Sequence, residues 1–160
     1  CESGGNFCAG INELLLRSPS GNIEGRPLIR VFPAIVDGWK DVRISRLRAQ
    51  GAFLVTAERR AGGTAYVIIE SEAGAECRLV HPWPGQAAEV RQDGVLVSRG
   101  RIEKVISFGT QAGSSYLLSP EGSDPGHLDV VNISGEADGY RLGIGGPFEK
   151  MSFREFNPDW

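Results

Sequence analysis

The chain has 160 residues and a formal charge of −3, with its basic residues scattered. That length allows one ordinary domain with a real core, and that charge leaves no footprint for nucleic acid or an anionic membrane surface. No stretch approaches the roughly 18 apolar residues of a membrane span, the start lacks a basic-then-apolar signal pattern, and Cys1, Cys8 and Cys77 are too few and too spread for a disulfide framework, so they read as reduced thiols.

The sequence opens on Cys1-Glu2-Ser3-Gly4-Gly5-Asn6 with no initiator Met, and its single Met is Met151, which points to a cut or processed product of something longer. Asn6 can cap a helix in which Phe7, Ile11, Leu14 and Leu15 recur at helical spacing, with Glu13 near its first turn and Arg17 in its last. Ser18 to Asn22 ends it. The period then changes: Leu28 to Phe32 is β-rich, Pro33 limits it, and Asp37-Gly38 turns the chain before Trp39.

Short strands are expected at Ile44 to Arg48 and Ala52 to Arg59, with Gly51 marking a bulge between them. Ala61-Gly62-Gly63-Thr64 signals a hairpin whose return strand is Tyr66 to Ser71. Cys77 to His81, Ala88 to Arg91, Val95 to Ser98, Ile102 to Phe108 and Ser115 to Leu118 continue the rhythm, with Gln92-Asp93-Gly94 as a further turn. The fold class predicted is mainly β: an antiparallel two-sheet β-sandwich preceded by one short N-terminal helix. Regular patterning weakens after the loop at 120–126, although Tyr140, Leu142, Ile144, Phe148, Met151, Phe153, Phe156 and Trp160 carry enough apolar surface to predict that the tail packs on the sandwich.

Little of this carries chemistry. There is no phosphate loop, nucleophile elbow, paired-Cys motif or HExxH, and the glycine-rich run from Tyr140 to Gly146 lacks the strand-turn-helix setting of a dinucleotide fingerprint, so no cofactor is implied. Cys77 and His81 lie four residues apart on an expected strand, roughly 13 Å along it, which is too far for one metal ion to bridge. His81 and Trp83 in His81-Pro82-Trp83-Pro84 are candidate carbohydrate contacts, because an exposed indole beside a hydrogen-bonding side chain stacks and orients a sugar ring. The competing and favoured reading is an indole that covers the end of a sandwich with its N–H tied to a carbonyl. Trp39 has the same two readings, with capping of the core favoured. Asn132-Ile133-Ser134 fits a glycosylation acceptor pattern.

Gly5-Asn6-Phe7 with Ala9 to Ser18, followed by Ile29 to Ala34 and Gly38-Trp39-Lys40-Asp41, resembles glycoside hydrolase family 95, the α-L-fucosidase family. Leu47 to Val55 is similar to that family's next segment, and Glu76 to Leu79 to the strand after it. In the family a helix of an (α/α)6 toroid follows the Gly-Asn-Phe motif, and the chain then enters a C-terminal β domain. The resemblance implies that residues 1–20 are a remnant toroid helix and 21–160 a C-terminal β-sandwich domain, with 120–126 a loop inside it.

It also implies an upstream catalytic domain in the same polypeptide as partner, and hydrolysis of terminal α-L-fucosyl or related glycosides by the whole protein. Members carry a general-base Asp directly before Gly-Asn-Phe, where this chain has Gly4, and Glu2 is the candidate stand-in. Glycosidase chemistry needs two carboxylates across the scissile bond, and no partner acid can be named here. The chain alone is therefore expected to be non-catalytic, an accessory domain or alternatively a carbohydrate-binding module, with an independent enzyme ranked last. The isolated helix, without its neighbours, is expected to pack opportunistically, self-associate or be partly disordered. The compartment stays open, a secreted or periplasmic parent being one reading.

Overall fold

The computed structural model describes residues 2–19, 26–100, 104–126, 128, 139–141 and 149–151. Helix α1 (Glu2–Leu15) opens the chain, followed by the short strands β1 (Leu16–Arg17) and β2 (Arg30–Val31). Eight longer strands follow: β3 (Val42–Ala49), β4 (Phe53–Arg60), β5 (Gly63–Ser71), β6 (Glu76–Val80), β7 (Ala88–Gln92), β8 (Val95–Gly100), β9 (Val105–Gly109) and β10 (Ser114–Pro120). A separate hairpin pairs β11 (Gly139–Arg141) with β12 (Glu149–Met151). Two compact units result, Cys1–Gly126 and His127–Trp160. The packing expected of Leu142, Ile144, Phe148, Phe153, Phe156 and Trp160, and the glycosylation pattern at Asn132, lie outside the described residues.

The first unit is the predicted antiparallel sandwich. One sheet has the order β3-β4-β5-β10-β7-β8. The other is built from β6 paired with β9, and Ile29 extends it: its N–H donates to the Arg78 carbonyl at 2.9 Å, and its own carbonyl accepts from Val80 N at 2.8 Å. That parallel bridge joins the β1–β2 pair to β6. The inner faces follow the two-residue period of a pleated strand. Phe53, Val55 and Ala57 point inward from β4, Val67 and Ile69 from β5, and Tyr116 and Leu118 from β10, meeting Cys77, Leu79, Ile106 and Phe108 of the second sheet. The Phe108 and Tyr116 rings bridge the layers with centroids 5.4 Å apart.

The tight turns are those the sequence predicts. Arg60 pairs with Gly63 across Ala61-Gly62, and Gln92 with Val95 across Asp93-Gly94, with positive φ at both central residues of each turn. The bulge is displaced from its expected place. Gly51 sits in the three-residue connection between Ala49 and Phe53, while the register shift lies between Ile44 and Leu47. There Arg46 adopts φ 51°, and its N–H, removed from the ladder, donates to the buried Thr56 hydroxyl at 3.0 Å. The extra residue restores phase, so that Ile44, Leu47 and Ala49 all turn toward the core.

The helix starts earlier than its motif suggests. It begins at Glu2 and runs through Gly4-Gly5, which places Asn6 inside it, because glycine weakens a helix by about 1 kcal/mol without forbidding it. It also stops sooner: Leu16-Arg17 leaves the helix to pair with Arg30-Val31. Cys8 to Gly10, Asn12 and Glu13 are exposed, whereas Ile11, Leu14 and Leu15 are half-buried.

Two connections cross between sheets near one point. Ser71 Oγ, at the end of β5, lies 2.7 Å from Thr110 Oγ1 and accepts from Gly74 N at 3.1 Å, while the Thr110 hydroxyl donates to the Ala75 carbonyl. Gly74 has φ +74°, and a Cβ there would stand 3.0 Å from Ala112 N, so the two loops approach as closely as glycine allows. The loop before β10 is thereby held where that strand enters between β5 and β7. Leu118, fully buried in the middle of the larger sheet, tests this arrangement. Leu118→Ala is expected to cost about 2–5 kcal/mol in urea unfolding with an unchanged m-value, since the site cannot collapse between two strands.

Candidate functional site

The two residues singled out for sugar contact are brought together, at the end of β6. Their rings meet edge-on with centroids 5.9 Å apart and planes at 89°. Trp83 is only 6% exposed and belongs to the core cluster. Its indole N–H donates to the Thr64 carbonyl at 2.6 Å, and its backbone N–H to His81 Nδ1 at 3.1 Å. Pro82 and Pro84, which cannot continue a ladder, force the chain out of the strand here, and the indole folds back under the start of β5. Its apolar body is thus used for burial and its polar edge for a backbone acceptor.

His81 is 9% exposed, and its acceptor role at Nδ1 places the proton on Nε2, which is buried with no partner among the described residues. Burial pushes the imidazole below its usual pKa. The unfolded chain therefore takes up a proton that the folded domain resists, and stability is lost as pH falls through the unfolded value of about 6.5.

Cys77 points into the core and is fully buried, and burial pushes its thiol up to about 12, so the thiolate that a metal or a nucleophilic step needs is disfavoured. Trp39 is 38% exposed in the loop between Phe32 and Asp41, and its backbone N–H donates to the Val36 carbonyl at 2.9 Å. The loop is anchored to α1, through Phe32 N to Leu15 O at 2.7 Å, and to the β4–β5 turn, through Gly62 N to Lys40 O at 3.0 Å, while the Trp39 side chain stays outside the core cluster. Glu2 is the first residue of α1, and nothing about its side chain falls among the described features.

The polar groups that sequence reasoning missed lie on the outer face of the larger sheet. Glu58 and Tyr66 are cross-strand partners, and the Tyr66 hydroxyl donates to Glu58 Oε2 at 2.8 Å. Arg60 Nε donates to Glu58 Oε1 at 2.6 Å, stands over the Tyr66 ring at 5.8 Å, and donates from Nη1 to the Pro125 carbonyl at 2.8 Å. The Arg60 hydrogen bond, opposed by burial and helped by Tyr66 and the Arg60 and Arg43 charges, holds the Glu58 carboxyl below the usual carboxylate range. Burial and the bond to Glu58 push Tyr66 up to about 12. Farther along, the buried Glu89 receives Arg91 Nη2 at 2.6 Å, with Arg99 at 3.8 Å.

A cleft of about 340 Å³ opens at the other end of this face, where Arg46, Leu54, Glu70 and Ser115 are among its walls. Arg46 meets Glu70 at 2.7 Å and Arg48 meets Glu72 at 2.6 Å, so its carboxylates are paired across strands. A general acid in glycoside hydrolysis needs a carboxyl with a raised pKa facing a second carboxylate across a sugar. Glu58 is held in the opposite direction. The signal for this network was present as arginines on β3 (Arg43, Arg46, Arg48) and glutamates on β4 and β5 (Glu58, Glu70), but only the register shows which residues face one another.

Residues 25–118, more than half of the chain, match the sequence model described as glycoside hydrolase family 95, C-terminal domain. The match runs from just before the Ile29 bridge to Leu118 in β10, and so spans both sheets. No curated protein matches the chain.

Two measurements check the site. The thermal midpoint should fall between about pH 7.5 and about pH 5.5, and His81→Gln should flatten that slope; an equal slope in the variant would contradict the assignment. In native protein a thiol reagent should modify exposed Cys8 and spare Cys77 until denaturant is added, and equal native rates would place Cys77 at the surface.

Proposed function

The chain belongs to the C-terminal domain family of glycoside hydrolase family 95, and from that premise we propose that it is a non-catalytic accessory domain that buttresses a preceding catalytic domain. The parent is an enzyme that hydrolyses terminal α-L-fucosyl or related glycosides. The observation that carries this reading is the surface at the start of the chain. Val36 and Trp39 are 50% and 38% exposed on a loop whose Phe32 and Ala34 N–H groups are tied to the last carbonyls of α1. Phe32 and Ile35 of this loop pack into the sandwich core while Val36 and Trp39 stand outside it, an exposed apolar pair on an anchored loop that suits docking against another domain.

Residues 1–20 are, in this reading, the last helix of that neighbour, and Glu2 at its start is the position from which a carboxylate would serve the parent's active site. The arginine-locked Glu58 and Glu89 and the protonated Cys77 support a domain without chemistry of its own. The burial of Trp83 supports the accessory role over a sugar-binding module, because the indole has no open face to offer a ring.

The test uses the parent enzyme carrying Val36→Ser and Trp39→Ala together. A fall in thermal midpoint of a few degrees, with KM for an aryl α-L-fucoside unchanged, is expected. A raised KM at an unchanged midpoint would instead place these residues in substrate binding and overturn the reading.

A further inference from the structure

Helix α1 runs into β1 with no residue between them: Leu15 ends the helix and Leu16 opens the strand. On its own this helix is weak. It has 14 residues, includes Gly4, Gly5 and Gly10, and has no basic residue in its last turn to answer the negative end of its dipole. Isolated helices of that length are marginal in water. What surrounds its end makes up the deficit. Of the last carbonyls, which a helix leaves unpaired, Leu15 O accepts from Phe32 N at 2.7 Å and Leu14 O from Ala34 N at 3.4 Å.

The residues that follow are held by both layers of the sandwich. Leu15 packs against the core cluster, and Leu16, 7% exposed, belongs to it. Leu16 pairs with Val31 and Arg17 with Arg30, and the Ile29 bridge to Leu79 carries that pair into the smaller sheet. On the other side Ser18 Oγ accepts from Gln50 N at 2.9 Å, in the connection between β3 and β4 of the larger sheet. Hinges are a few loop or element-terminal residues whose dihedrals can change. From Leu14 to Ser18 every residue is tied to the sandwich by a hydrogen bond, a ladder or core packing, so the joint has no such slack.

We propose that the sandwich is a splint for α1: clamped by both sheets at its C-terminal end, the helix folds with them as one cooperative unit and leaves them in one fixed direction. In a parent whose catalytic domain ends in α1, which is the reading given above, the splint replaces a flexible linker and holds the two domains at one angle. Gly10 offers a probe that leaves the clamp untouched. It is exposed in α1, and a Cβ there would meet nothing within 4 Å, so Gly10→Ala strengthens the helix alone.

The experiment uses the full chain, so its readouts do not depend on what α1 docks against. Backbone amide relaxation, measured by nuclear magnetic resonance, should give Gly10 to Leu15 order parameters of about 0.85, equal to those of β4 and β5; values below about 0.6 in α1 alone would overturn the proposal. Gly10→Ala should raise the thermal midpoint of the sandwich, read from the β4 and β5 amide signals, by about 2–4 °C. An unmoved midpoint would mean that α1 melts separately, and would overturn it too. Two glycines inserted between Leu15 and Leu16 should drop the α1 order parameters into the flexible range and abolish the Gly10→Ala shift. A helix as rigid after the insertion as before would show that the clamp does not hold it. A parent enzyme indifferent to Val36 and Trp39 would count against the accessory role and leave all three outcomes untouched.

Discussion

The placement of β10 between β5 and β7 is the constraint on which the rest of the fold depends. A meander of β3, β4 and β5 would by itself leave an open edge at β5, and β7–β8 would be an isolated hairpin, which is marginal in water. β10 pairs with both, through Tyr116 and Leu118 among others, and makes one sheet of the two pieces. The cost is loop-closure entropy, because a strand late in the sequence must insert beside one formed long before it. The crossing at Ser71, Gly74 and Thr110 offsets this by fixing the loop from which β10 starts, and β6 and β9, displaced into the second layer, supply the apolar surface that β10 covers.

The outer face of the larger sheet follows a different rule. β3 carries Arg43, Arg46 and Arg48 while β4 and β5 carry Glu58 and Glu70, and the pairing of the strands sets these carboxylates beside guanidinium groups. Exposed pairs such as Arg48–Glu72 contribute little to stability, because water screens both charges. The half-buried group of Glu58, Tyr66, Arg43 and Arg60 is another matter, since removing one member strands a partly desolvated charge. These carboxylates are therefore bound into the fabric of the sheet, and the same bonds that stabilise it hold Glu58 ionised and unsuited to donating a proton.

Exposed apolar side chains are confined to two places among the described residues: the Val36–Trp39 loop beside α1, and the rim of β8. Each lies where a regular element ends or is interrupted. The loop is tied to the helix at one end and to the β4–β5 turn at the other, and the rim is interrupted by a bulge, so both surfaces follow from local backbone geometry.

The sequence by itself determined the strand-and-turn character, because two-residue alternation and the Ala61-Gly62 and Asp93-Gly94 turns are local properties of neighbouring residues. It also carried the family, since the segments from Ile29 to Leu79 keep their order within the matched residues 25–118. It misplaced the bulge, assigned to Gly51 but found between Ile44 and Leu47, and the helix start, assigned to Asn6 but found at Glu2. Tertiary structure alone decided the order of strands, the paired state of Glu58 and Glu89, and the fate of the aromatics. Trp83 and Trp39 stand in similar Pro- or Gly-flanked contexts, yet one is buried against Thr64 and the other exposed. The reason is that burial depends on which distant strand a loop meets, and that is written in the packing of the sheets rather than in the residues beside either tryptophan.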